Sequence, residues 1–231
     1  MKRRNFIRNT LFAGASLAGH NQIKEFSKIS SPPNDKSNKL PAWRGFNLRD
    51  FNTPNPDWHQ FHTTEEHLKW MHDWGFDFIR LPMAYPFYLK FDRTKNITPD
   101  EVYQIDETAV NKIEELVSLA HKYQMHVSIN LHRAPGYCIN AGFHEPYNLW
   151  KDKAAQDAYY YHWNFWAKRF KNISNEKISF DLLNEPCIRE DMNDQHSKSY
   201  PVPAKLYYDL VSGASEAIRR ENRDRLIIAD G

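Results

Sequence analysis

Only eight of the 231 residues are glycine, and none of them builds a phosphate cradle. No GxGxxG or GxxxxGK run follows the first strand candidate, which argues against a dinucleotide- or nucleotide-binding fold. Metal-ligand spacing is equally absent. A site drawn from His132, His144, Glu145 and Glu185 matches no strong signature, HExxH included, so neither metal nor cofactor is implied. Cysteine is limited to Cys138 and Cys187. Each follows a strand candidate, and because their spacing fixes no geometry, two free thiols near a cleft are favoured over a bridge, although an exported protein could oxidise them. No internal repeat is present. The most apolar run, Leu11 to Ala18, is too short for a comfortable membrane span, so no stable membrane insertion is expected once it is removed.

That run belongs to a terminal device. Residues 1–18 join a basic start, with Arg3 and Arg4 followed by Asn5, Phe6 and Ile7, to the apolar stretch and to small residues suited to cleavage at Ser16 and Ala18. This resembles a twin-arginine export signal, and the expected destination is periplasmic or extracellular. The segment holds Lys2, Arg3, Arg4 and Arg8 and no acid, so its removal takes the formal charge from +2 to −2. The basicity is therefore a targeting feature, and no nucleic-acid partner is expected. Residues 19–40 turn to Ser, Asn, Lys and Pro and read as a flexible tether. From 41 to 231 the composition is that of one sizeable domain. Its aromatic share is high, 14% of the whole chain. Aromatic faces stack on sugars, although most such rings simply fill a core.

Beyond the tether, strand and helix patterns alternate. WRGFNL (43–48), FDFIRLP (76–82, halted by Pro82), HVSINLH (126–132), ISFDLLNE (178–185) and LIIAD (226–230) read as strands. Between them lie four helical periods. The first is opened by a capping box at Thr63 to Glu66, carries Leu68, Met71 and Trp74 on one face and stops at Gly75. The second runs from Glu107 to Tyr123 with Asp106 as cap and Val110, Ile113, Val117 and Ala120 inward. The third begins near Ala154 and aligns Tyr159, Trp163, Trp166 and Phe170. The fourth is opened by Pro203, where proline is tolerated. Strand then helix, four times over with a fifth strand begun, specifies parallel strands with crossover helices. Asn47, Arg80, His132 and the pair Asn184–Glu185 fall at the ends of successive strands. That favours an α/β (β/α)8 TIM barrel over a doubly wound sheet, with about the first four and a half βα units within these residues.

RGFNL, FDFIRLP, NLHRAPG, LLNEP and LIIADG, in this order over residues 43 to 231, together resemble glycoside hydrolase family five, the cellulase-like family of the barrel glycosidases. The resemblance implies a retaining hydrolase that cleaves O-glycosidic bonds of a β-linked glucan or related carbohydrate. Glu185 then corresponds to the acid/base that protonates the leaving oxygen. Asn184 corresponds to the amide that holds the sugar 2-hydroxyl. Arg80 corresponds to the arginine that orients the nucleophile, and His132 to a histidine lining the subsite beside the cleaved bond. Read from residue type alone, the alternatives are that Arg80 pairs with Asp181 or Asp77 inside the barrel and that His132 is a satisfied interior histidine. Tyr85, Trp58, Tyr137 and Trp150 are candidate sugar platforms, with core packing as the alternative. Residues 133–146 form a long strand-to-helix loop expected to shape the cleft. The family's nucleophile ends strand seven, so it is expected beyond residue 231. Glu145, Glu190 and Asp191 do not stand at strand ends in the manner the mechanism needs. On this reading residues 41–231 are the N-terminal part of a catalytic barrel, and the alternative is a non-catalytic carbohydrate-binding half barrel.

Overall fold

Residues that alternate apolar and polar side chains form the strands, and residues with a 3.6-residue apolar period form the helices between them. The computed structural model describes residues 40–58, 62–138 and 143–230. The expected export signal, and the tether apart from Leu40, lie outside the described residues. Ala42–Gly231 forms one unit, distinct from Met1–Pro41. In it, β1 (Gly45–Asn47), β2 (Phe78–Ala84), β3 (His126–Arg133), β4 (Ile178–Asp181) and β7 (Leu226–Ile228) make a parallel sheet in the order β1-β2-β3-β4-β7. Each strand lies beside the next in the sheet, with no reversal of order, as the opening strands of a (β/α)8 barrel do. A short antiparallel hairpin, β5 (Cys187–Arg189) and β6 (Ser199–Pro201), is inserted after β4. No strand or helix period in residues 187–201 announces it.

The register sorts the two faces. Asn47 pairs with Arg80, Arg80 with Ser128, Ser128 with Ser179, and Asn130 with Asp181. One face therefore carries polar residues in rows, while Ile79, Leu81, Met83, Val127, Ile129, Leu131 and Phe180 are buried on the other. At the N-terminal end of the polar face, Trp43 and Phe78 stack on the His126 ring with centroids 3.8 and 5.7 Å away.

Helix α1 (Glu65–Asp73) starts one residue later than the sequence suggests. Thr64, not Thr63, is the cap, and it exchanges bonds with His67. Thr63 is taken by Asp50, whose carboxylate accepts its N–H at 2.6 Å and its hydroxyl at 2.7 Å. Leu68 and Met71 are buried, but Trp74 is 70% exposed, because it is the C-cap and the helical stripe has ended before it. Helix α2 (Glu107–Lys122) follows expectation, with the Asp106 carboxylate accepting from Thr108 N–H. In α3 (Lys153–Arg169), Tyr159, Trp163 and Trp166 are buried, and Phe170 at the C-cap joins them. Helix α4 (Ala204–Arg219) has Pro203 as its N-cap and buries Leu210, Ala214 and Ala217.

Two strand limits differ from expectation. Pro82 does not halt β2. The ladder on the β1 side passes from the Leu48 N–H to Arg80 O bond straight to the Ala84 N–H to Phe51 O bond, so proline's missing donor falls in that gap. Arg80 is consequently the third residue of β2 rather than near its end. Strand β4 closes at Asp181, after only four residues. Leu182 still donates to Ile228 O, and then the chain leaves the sheet.

Candidate active site

The early end of β4 places Asn184 and Glu185 in a turn above the sheet. Glu185 is exposed and adopts a left-handed backbone, φ +45°, which costs a non-glycine residue about 1 kcal/mol or more. The turn is bonded on both sides. Glu185 N–H points to Asp230 Oδ2 at 3.4 Å, and Tyr137 donates its hydroxyl to Glu185 O at 2.7 Å. Cys187 N–H donates to the same Tyr137 oxygen at 3.2 Å, and the Trp150 indole N–H donates to Cys187 O at 2.9 Å.

Beneath the turn, the polar face of the sheet supplies an ion pair. Arg80 donates from Nε to Asp181 Oδ2 at 2.6 Å and from Nη2 to Asn184 Oδ1 at 3.0 Å. Arg80 thus forms the internal pair with Asp181 and at the same time orients Asn184. Asp77 is engaged elsewhere, accepting from Arg44 N–H. Burial pushes the Asp181 carboxyl up, the Arg80 charge opposes this, and Asp230 adds to the rise. His132 lies beside Asn184. Burial first, then Arg133 and Arg80, presses its imidazole down to about 3, so it stands neutral, with its Nδ1 buried and unpartnered. His132, Arg133, Tyr137, Asn184, Glu185 and Arg189 line a cleft of about 420 Å³. All four residues expected at the site, Arg80, His132, Asn184 and Glu185, are therefore brought together.

The surrounding residues meet some of the expectations and depart from others. Tyr85, Tyr137 and Trp150 are buried and cannot present a ring to a sugar. Of the four candidate platforms only Trp58 is exposed, and it does not line this cleft. In the 133–146 loop, residues 139–142 lie outside the described residues, while Arg133 and the covered edge of Tyr137 border the cleft. Cys138 and Cys187 are free thiols. Glu190 and Asp191 sit outside the cleft lining. Sequence reasoning missed Asp230, whose signal was available: like Asp181, it is an acid ending an apolar strand run. It also missed the role of Glu145, a half-buried residue whose carboxylate accepts from Tyr85 OH at 2.7 Å, Gly136 N–H at 2.6 Å and Cys138 N–H at 2.7 Å.

Consecutive parallel strands with a polar cleft at their C-terminal edge are the architecture of the (β/α)8 barrel. The sequence matches the cellulase family (glycosyl hydrolase family 5) over residues 35–231, and the chain belongs to that family. It is similar to cellodextrinase A of Ruminococcus flavefaciens, 31% identical over 52% of this chain and 32% of that protein. It is also similar to endoglucanase C of Acetivibrio thermocellus, 31% identical over 53% of this chain and 32% of that protein. The match thus spans about a third of the length of these relatives. Among solved structures it resembles a glycoside hydrolase, with TM-score 0.68 and 31% identity over 82% of this chain and 52% of that one. The endoglucanase Cel5A of Thermotoga maritima, at TM-score 0.59 and 20% identity over 81% of this chain and 50% of that one, shares the fold.

Proposed function

We propose that the protein is a retaining glycoside hydrolase of a β-linked glucan or related oligosaccharide, with Glu185 as acid/base. The observation that carries this reading is the pairing of Glu185, at the cleft, with an Asn184 whose amide oxygen is already committed to Arg80. With Oδ1 so held, the Asn184 NH₂ is left to donate to a sugar hydroxyl, a contact that strengthens in an oxocarbenium-like transition state. Glu185 gives its proton to the leaving oxygen as the glycosidic bond breaks and a second carboxylate attacks the anomeric carbon. It then takes a proton from the water that releases the sugar. His132, neutral and half-buried, lines the subsite as a hydrogen-bonding wall rather than a charge. In this reading the nucleophile is a glutamate supplied beyond residue 231, and Asp181 is already paired with Arg80. Residues 1–18 address the protein for export, which N-terminal sequencing of the mature form tests.

The experiment is product analysis by ¹H NMR of the full-length protein acting on cello-oligosaccharides, beside Glu185→Gln. The β-anomer should appear first, and the variant should lose about 10²- to 10⁴-fold in rate. An α-anomer first would rule out retention, and an undiminished variant would rule out Glu185. Sugar binding without turnover in both proteins would favour a non-catalytic carbohydrate-binding protein.

A further inference from the structure

The geometry points to Tyr137 as a positioning residue for the acid: its hydroxyl clamps the strained turn that carries Glu185, and the Glu145 carboxylate holds the clamp in place. The inference rests on the proposed role of Glu185.

A left-handed non-glycine residue persists only where its surroundings over-determine it. At Glu185 the neighbours of the turn do this. One hydroxyl, that of Tyr137, uses its donor on Glu185 O and an acceptor site on Cys187 N–H, so it spans the turn from the residue of interest to the second one after it. The ring is 2% exposed and packs edge-on against Trp150 at 5.7 Å, and Trp150 in turn bonds Cys187 O. All three bonds come from the connection between β3 and α3. None touches the Glu185 carboxyl, so the effect on the acid is one of aim.

That connection is itself fixed from behind. Gly136 takes φ +71°, and its carbonyl accepts from Leu149 N–H at 2.9 Å. The Glu145 carboxylate accepts the N–H groups on either side of Tyr137, those of Gly136 and Cys138, and ties both to Tyr85 beyond β2. A carboxylate withdrawn from water is costly unless its lone pairs are used. Here three donors converge on it, two of them backbone groups flanking the clamp.

The test compares Tyr137→Phe with Tyr159→Phe in the full-length protein. Tyr159 makes a similar buried bond, to Leu182 O at 2.8 Å, but does not touch residues 185–187. Two substrates are used: an unactivated cello-oligosaccharide, whose leaving group needs the acid, and a dinitrophenyl glycoside, whose leaving group does not. For Tyr137→Phe, kcat/KM should fall roughly 10- to 100-fold on the first and hardly change on the second. Tyr159→Phe should affect both alike. Glu145→Gln, which can keep only part of its acceptor set, should repeat the Tyr137→Phe pattern more weakly. Hydrogen exchange at the Cys187 amide gives a readout free of turnover, and it should speed up by about 5- to 10-fold in Tyr137→Phe. Equal losses on the two substrates, or unchanged Cys187 exchange, would overturn the inference. If the wild type turns over neither substrate while Cys187 exchange still responds, the hydrolase reading has failed and the aiming role fails with it, leaving only a structural clamp.

Discussion

Arg80 and Asn184 come from elements 104 residues apart in sequence, yet the guanidinium Nη2 lies 3.0 Å from the amide oxygen. The same guanidinium holds Asp181, whose side chain is only 5% exposed. Removing Arg80 therefore does two things. It strands a buried carboxylate and frees the amide beside Glu185. Because Arg80 is itself 19% exposed, Arg80→Ala should cost on the order of 3 kcal/mol, the low end for breaking a buried pair. Urea unfolding measures this. Arg80→Lys should recover much of the stability, because a point charge can still meet Asp181. It should not recover activity on cello-oligosaccharides, because an ammonium lacks the planar fork that reaches both partners. Equal recovery of both would mean that Arg80 does not orient Asn184.

Two glycines with similar backbone angles should respond differently to alanine. Gly75 has φ +82° and open space where a Cβ would stand, whereas Gly136 has φ +71° and would bring a Cβ to 2.4 Å from Leu149 N and 2.8 Å from the Ala155 Cβ. Gly75→Ala should thus carry only the left-handed penalty, about 1 kcal/mol. Gly136→Ala should cost clearly more and disturb Tyr137 as well. Thermal unfolding separates the two, and the cello-oligosaccharide rate should drop only in the second.

Much of the architecture was legible because strand and helix periods are long-range patterns that survive local irregularity. The Val127, Ile129, Leu131 alternation and the Val110, Ile113, Val117, Ala120 stripe each bury as their spacing indicates. What failed was decided by contacts between distant residues. Asp50 captures Thr63 and shifts the start of α1 to Thr64, and a gap in the β1 ladder lets β2 run through Pro82. The site shows the same division. Arg80 and His132 could be read from their strands, and Asn184 from the apolar run that it follows. Glu145 could not, since nothing local tells a carboxylate that gathers three donors from an exposed loop acid. Nor could Tyr137, whose hydroxyl finds its partners 48 and 50 residues on.

Arg225 is a case that no pattern announced. It precedes β7 and is fully buried, where it donates to the carbonyls of Phe170, Ile173 and Ile178 and stacks over Phe180 at 5.2 Å. Three carbonyls at the end of α3 and the start of β4 converge on one guanidinium. Arg225→Lys keeps the charge but cannot match a three-way planar set, so it should destabilise by roughly 1.5 to 3 kcal/mol, read as a lower urea midpoint. A midpoint within error of wild type would show that water replaces these bonds at no cost.

The pH dependence of stability should contain two opposing contributions. His162 is fully buried, with Nε2 toward Val102 O at 3.1 Å and Nδ1 toward Tyr88 OH at 3.2 Å. Burial takes its imidazole down to about 3, as for His132. Between about pH 3 and the ordinary histidine value near 6.5, the unfolded chain binds protons there that the folded one does not. These two residues make stability rise with pH across that window. Glu145 acts in the other direction. Burial raises its carboxyl from 4.5 to about 7, despite the donors Tyr85, Gly136 and Cys138. The folded protein holds a proton there between 4.5 and 7, so this contribution is complete below 4.5 and lost as pH rises through about 7. Unfolding free energies measured from pH 4 to 8 should show the separation. His162→Gln should flatten the acid side of the profile. Glu145→Gln should remove the decline toward neutral pH, and a decline that persists in this variant would assign the proton to another group.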